Sequence, residues 1–364
     1  MYFVPSWYHG NEYKENEQYW YRRRTVTEFD DSVKQVQMFN RNNIMDYKIL
    51  NLSYCPNFRH FLHRQSVFHA PYWSCFDAIQ EIRRTKVDIL SYRDLMWPEY
   101  TEFVYTPFCI VAYVHNEKYA EIHFGEDGNM IEVFLFQSEV MVRKNVYDDR
   151  GFLSTTIVYE KNQPVYEQYL DEKGNWKFLH FFEDDHIEIN SENPYYLIGN
   201  KRFTFDSLNY DSMESLIEEV FSTYLDEMTD STDIFCLAMH TLHHDLLESL
   251  FTQRKTILSF YQNRMELFED AELKSLIRST NYCIVDSKHK IRPLEKYAGK
   301  TLPIVDITPF DTRADFGISQ QLTVQNILVP IDSIEQSKLE ALIVLFAKYF
   351  ETNETARVHF FTRN

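Results

Sequence analysis

Two rhythms alternate along the chain. In residues 1–104 and 206–322, short apolar runs alternate with stretches whose apolar positions recur every three or four residues, which predicts strands alternating with amphipathic helices. In residues 105–205 the helical period disappears. The runs there, among them Phe108-Cys-Ile-Val-Ala-Tyr-Val114, Met130-Ile-Glu-Val-Phe-Leu-Phe136 and Trp176-Lys-Phe-Leu-His-Phe-Phe182, are rich in β-branched and aromatic side chains. Turn clusters separate them: Gly125-Glu-Asp-Gly-Asn129, Asp148-Asp-Arg-Gly151, Glu160-Lys-Asn-Gln-Pro164 and Asp171-Glu-Lys-Gly-Asn175. Such spacing predicts hairpins, hence an antiparallel sheet.

Each flank carries only part of a β-α alternation, and alternation implies a parallel sheet covered on both faces. The flanks must therefore reunite in one α/β domain, from which the hairpin sheet projects as a wing. The first flank predicts strands at residues 1–4, 47–52 and 86–90. Its helices start at Thr27, where Thr27 and Asp30 fit a capping box, and span residues 74–84, with Phe76, Ile79 and Ile82 inward. The second flank opens a helix at Asp211, with Leu216, Ile217, Val220, Phe221 and Tyr224 inward. Strands follow at residues 234–239, 255–261 and 282–286. Residues 323–364 read as one further βαβ unit, opened by a capping box at Ser333 and Gln336. One such unit buries too little to stand alone, so a second α/β domain is expected to be cut short here.

Composition narrows the classes. With 37 Lys and Arg against 55 Asp and Glu, the formal charge of −18 repels nucleic acid and anionic lipid over most of the surface. The five cysteines show no CxxC spacing, and Cys109, Cys236 and Cys283 lie in apolar runs, which predicts buried thiols in a reducing compartment. No signal peptide is evident, and the apolar run at residues 341–347 falls far short of the roughly 20 residues a bilayer span needs. A cytosolic protein is expected.

The segments Pro5-Ser-Trp-Tyr8, Glu28-Phe-Asp-Asp-Ser-Val-Lys-Gln-Val-Gln-Met-Phe39, Asp148-Asp-Arg-Gly-Phe-Leu-Ser154 and Asp233-Ile-Phe-Cys-Leu-Ala-Met239 resemble the accessory secretory protein one family, a cytosolic component of the bacterial accessory Sec export system. The likeness covers essentially the whole chain. It implies a GT-B glycosyltransferase-like fold of two Rossmann domains with a β-sheet inserted in the first. It also implies partners: the second and third accessory secretory proteins, the accessory SecA motor, and serine-rich repeat glycoprotein as cargo.

The residues themselves offer little catalytic chemistry. A transferase of this architecture cradles a diphosphate on a glycine-rich turn, but none of the eight glycines fall in GxGxxG or P-loop spacing. No catalytic residue, cofactor or metal is assigned, and the alternative is an active glycosyltransferase modifying serine-rich adhesins. His240, His243, His244 and Asp245 could hold a metal or a base, although a polar helix start explains them better; His60 and His63 read as surface residues with no carboxylate nearby. Asp30 and Asp31 fall in a first helical turn, where carboxylates favour the helix dipole. A polar contact at the mouth of a cleft is the functional reading for them. The loop after the first strand joins Trp7 and Tyr8 to Trp20, Tyr21, Arg22, Arg23 and Arg24, aromatics beside cations that suit glycan stacking or a protein interface. Packing on their own domain is an equal reading, and an anionic lipid head group is a third partner for the arginines.

Overall fold

A computed structural model describes residues 1–6, 31–44, 46–125, 127–241, 244–307, 325–331 and 334–362. The first flank supplies β1 (Tyr2–Ser6), α1 (Asp31–Arg41), β2 (Tyr47–Asn51), α2 (Phe58–Arg64), β3 (Tyr72–Ser74) and α3 (Cys75–Ile79). The wing runs from β4 (Thr101–Tyr105) through β5 (Ile110–Val114), β6 (Glu117–Phe124), β7 (Met130–Gln137), β8 (Val140–Asp148), β9 (Phe152–Glu160), β10 (Gln163–Leu170) and β11 (Trp176–Phe181). It closes with β12 (Ile187–Ile189), the hairpin β13 (Tyr195–Ile198) and β14 (Lys201–Thr204), and β15 (Asn209–Tyr210). The second flank adds α4 (Met213–Met228), β16 (Ile234–Ala238), α5 (His244–Phe251), β17 (Lys255–Phe260), α6 (Ala271–Ser279), β18 (Tyr282–Val285), α7 (Ile291–Ala298) and β19 (Ile304–Asp306).

The flanks share a single seven-stranded parallel sheet in the order β19-β18-β17-β16-β1-β2-β3. Tyr2 pairs with Tyr47 on one side and with Ile234 on the other, so β1 joins them. The Met1 ammonium donates to Asp233 at 2.9 Å, and Phe3 stacks on Phe235 with centroids 5.1 Å apart. Alternate residues of β2 feed two cores. Tyr47 and Ile49 meet Val33, Val36, Phe58 and Leu62 from α1 and α2; Leu50 joins the larger cluster with α3 to α7. The fold is thus α/β, with a large antiparallel sheet inserted between α3 and α4 of the parallel-sheet domain. Residues 310–364 form a separate compact unit, in which β20 (Gln325–Pro330) pairs in parallel with β21 (Ala356–Phe361) across α8 (Gln336–Thr352).

The wing is a meander in the order β15-β12-β11-β10-β9-β8-β7-β6-β5-β4, with β13 and β14 pairing separately. Three of its two-residue turns, His115-Asn116, Ser138-Glu139 and Lys161-Asn162, place both residues at positive φ between 49° and 65°. This is the primed geometry whose twist matches the flanking strands. It lets these three hairpins turn without glycine.

Several expectations change. Residues 86–90 are not a strand; the third strand is Tyr72–Ser74, and Val87 and Ile89 are exposed. The stretch instead runs along the wing, where the Asp88 N–H donates to the Arg150 carbonyl at 3.1 Å and Leu90 packs on the wing's core. The helix expected over residues 74–84 covers only Cys75–Ile79, because Glu81 takes a φ of 56°. That turn brings the Glu81 carboxylate to Lys177 and Arg202. Sequence reading passed over β8, whose alternation is broken by Arg143 and Lys144; Lys144 folds back onto the buried Glu132 carboxylate. The cap of α4 is Ser212, not Asp211, since its hydroxyl accepts from the Ser215 N–H at 3.3 Å. Cys236 and Cys283 are buried as expected, but Cys109 is only half-buried, lying in the β4–β5 hairpin near the sheet edge. Thr27, Asp30 and Ser333 lie outside the described residues.

Buried ions fasten the wing to the α/β domain. Arg150 binds Asp77 of α3 through both terminal nitrogens at 2.8 and 2.7 Å, and Asp148 through Nε and Nη2 at 2.7 and 2.8 Å. Asp149 caps α2, accepting from the His60 N–H at 3.0 Å. Lys177, 0% exposed, gives its three protons to Glu81 and to the carbonyls of Asn193 and Tyr195. A buried charge that loses its partner costs about 3–5 kcal/mol, so these contacts fix where the wing leaves the domain.

Two predictions follow from this junction. Gly151 adopts φ +89°, and a Cβ there would meet the Asp88 carbonyl oxygen at 1.7 Å. Gly151→Ala should therefore cost about 2–4 kcal/mol in denaturant unfolding, and a change under about 0.5 kcal/mol would show that the junction yields easily. Burial and the adjacent Asp148 push the Asp149 carboxyl up to about 7. A raised folded value means the protonated group contributes stability fully below the ordinary carboxylate range and loses it as pH rises through about 7. Asp149→Asn keeps an acceptor for His60 and should gain on the native protein by more than about 1 kcal/mol between pH 5 and pH 8. Parallel stability curves would contradict this.

Candidate functional site

In an open α/β sheet ligands bind beyond the carboxyl ends of the strands, where the strand order reverses. Here that point lies between β1 and β16. Asp31, first residue of α1, is brought against the far end of β17. Its carboxylate accepts from Ser259 Oγ and from Arg264 Nη2, the latter at 2.8 Å. Arg264 follows β17 and also turns its Nε to the Tyr261 carbonyl at 3.3 Å. Beside it, Asp286 closes β18, accepts from the Gln262 N–H at 2.6 Å and meets Lys290 Nζ at 2.8 Å. Lys290 also donates to the carbonyls of Phe260 and Gln262.

From this polar rim an apolar groove with about 220 Å³ of open volume runs along α1, lined among others by Tyr2, Met38, Phe39, Ile284 and Ile307. Its floor is tied by Gln35, which accepts from Tyr2 OH at 3.1 Å and donates to Cys236 Sγ at 3.2 Å. Burial pushes the Cys236 thiol up to about 11 and the Tyr2 phenol higher still, so both stay neutral at physiological pH.

This geometry governs the chemistry the rim can perform. A diphosphate needs cations able to turn toward it, yet Arg264 and Lys290 each hold a carboxylate of their own chain. Asp31 has one oxygen on a hydroxyl and the other on a guanidinium, the arrangement of a clamp closing α1 onto β17. Sequence reading chose Asp31 but missed Ser259, Arg264, Asp286 and Lys290. The available signal was polar residues at the ends of otherwise apolar strands, in Ser259-Phe-Tyr-Gln-Asn-Arg264 and Val285-Asp286.

Trp7, Tyr8, Trp20, Tyr21, Arg22, Arg23, Arg24 and Asp30 lie outside the described residues. So does His243, as do the side chains of His244 and Asp245, while His240 is half-buried at the end of β16. Among the described residues no group of three or more His, Cys, Asp or Glu could hold a metal ion. The surface reading of His60 is corrected: its side chain is mostly covered at the wing junction, with Nδ1 3.6 Å from the Asp127 carboxylate. His63 is exposed.

Comparison with known proteins fits this architecture. A Streptococcus gordonii protein named for the accessory Sec system is 31% identical over 340 residues, covering 92% of this chain; the chain spans 63% of that relative's length. A chain in the Gap123 glycosylation-associated complex of Streptococcus agalactiae superposes with a TM-score of 0.78 at 29% identity, covering 100% of this chain and 71% of that one. A chain in the structure of accessory secretory proteins 1, 2 and 3 of Streptococcus pneumoniae gives 0.78 at 27% identity, covering 100% and 72%. The pneumococcal O-GlcNAc transferase GtfA, at 9% identity and a TM-score of 0.61 over 99% of this chain and 75% of its own, shares the fold. The family described as accessory Sec system protein Asp one matches residues 1–364, and the chain belongs to that family.

Proposed function

We propose that the protein is a non-enzymatic component of an accessory Sec export machinery, assembling with the second and third accessory secretory proteins. The observation that carries this reading is the internal pairing at the carboxyl edge of the sheet. At the switch point of the sheet, where an α/β fold offers a ligand site, Arg264 and Lys290 pair with Asp31 and Asp286 of their own chain. The related chains solved within multi-protein assemblies support the partners. On the same reading the assembly engages the accessory SecA motor and the serine-rich repeat glycoprotein, binding without making a bond.

The setting is the cytoplasm and the inner face of the cell membrane. No helix among the described residues is long and apolar enough to cross a bilayer. With a formal charge of −18, contact with an anionic membrane falls to a local basic stretch such as Arg22 to Arg24. Glycan or partner contact is assigned to Trp7, Tyr8, Trp20, Tyr21 and Asp30, while Asp31 is taken up by the clamp onto Ser259 and Arg264.

The test is co-expression of the full-length chain with its two sister proteins, followed by incubation of the purified material with a panel of sugar nucleotides. Co-elution of all three is expected, with no nucleotide diphosphate released above the buffer rate. Sustained donor turnover would establish the alternative glycosyltransferase instead, and loss of both sister proteins on gel filtration would remove the export assignment.

A further inference from the structure

The wing ends in a strand with only one neighbour. β4 pairs with β5 from Thr101↔Val114 to Tyr105↔Ile110 in unbroken register, and no strand among the described residues pairs with its other edge. Natural proteins shield such edges with bulges, proline, inward charge or extreme shortness. β4 carries one outward charge, Glu102, and none of these. It has five residues, none of them Lys or Pro, and its ladder has no register shift, whereas the next two ladders inward are both shifted. The opposite end of the sheet is shielded, since β15 is only two residues long.

The surroundings of β4 are apolar and open. Val104 is 48% exposed and Tyr105 61%, and the adjoining Tyr100, Met96 and Phe108 are exposed as well. One face of the strand is covered from within: Phe103 packs edge-on against Tyr92 and Trp97, and Tyr105 OH bonds Tyr92 OH at 2.7 Å. These contacts tie one face of the strand to the wing, and its outer edge carries no described strand. Exposed Glu99 precedes it and exposed Glu102 lies within it, neither with an ion-pair partner among the described residues.

We propose that the outer edge of β4 receives an extended strand from a partner protein, one that alternates apolar side chains and carries Lys or Arg opposite Glu102. Main-chain hydrogen bonds supply the attraction, and Val104 and Tyr105 give the added strand apolar contact. Charge decides against a second copy of this chain, because each brings −18 and the edge itself is acidic. The inference rests on the reading of the protein as a member of a multi-protein assembly and names the surface that assembly uses.

Backbone amide exchange on the full-length chain, alone and co-purified with its two sister proteins, tests it. Protection of residues 101–105 should rise at least about tenfold in the complex and stay at the free level in the chain alone. Val104→Lys and Glu102→Lys should each weaken assembly about tenfold without lowering the melting temperature. A complex that forms while these amides exchange unchanged and both variants bind normally would overturn the edge assignment and leave the assembly intact. Protection in the chain alone would make the occupant a second copy and overturn the partner strand. Failure of any complex to form would remove the assembly reading itself.

Discussion

One strand makes the α/β domain a single body. β1 lies between β2, its near neighbour in sequence, and β16, which comes only after the whole wing. Without it, the first flank would keep two strands and the second four, each with an open edge in place of a buried ladder. The Met1–Asp233 bond and the Phe3–Phe235 stack reinforce the seam at charged and apolar levels. The position of the carboxyl-edge rim depends on that pairing, because Asp31 hangs from the helix after β1 while Ser259 and Arg264 belong to the far half.

The wing depends on the domain in a different way. It contributes no strand to the parallel sheet. Its attachment joins apolar packing, in which Tyr169, Phe178, Ile187 and Tyr196 enter the domain's core, to buried ionic groups: Arg150 between two carboxylates, and Lys177 among one carboxylate and two carbonyls. Burial alone would drive the Lys177 amine toward neutrality and raise the Glu81 carboxyl, but Lys177 and Arg202 hold Glu81 below its ordinary value. Such groups add little net stability compared with apolar packing, yet they tolerate one geometry only. That suits a projecting sheet whose direction matters.

What the sequence disclosed followed from periodicity. Residues buried on both faces, as in β16 and β17, and the inward stripe of α4 from Leu216 to Tyr224, announce themselves because burial leaves no choice of residue type. Segments whose role is set by distant partners do not. Residues 86–90 are apolar enough for a strand, and only the Gly151 turn, about sixty residues later in sequence, explains why they run along the wing instead. Of the rim, Asp31 could be chosen because a helix start marks it. Arg264 and Lys290 could not, since nothing local distinguishes a cation that meets a carboxylate from one that meets solvent.

The seam also orders events during synthesis. β1 leaves the ribosome well before β16, since the residue that receives the Met1 ammonium is 232 positions downstream. The wing, by contrast, closes almost entirely between consecutive strands across short turns, contacts that form at small entropic cost. A folded wing also draws the two flanks together by shortening the effective loop between them. β1 therefore waits through the synthesis of the whole wing for its second neighbour, and until residues 234–238 emerge one of its edges stays unpaired.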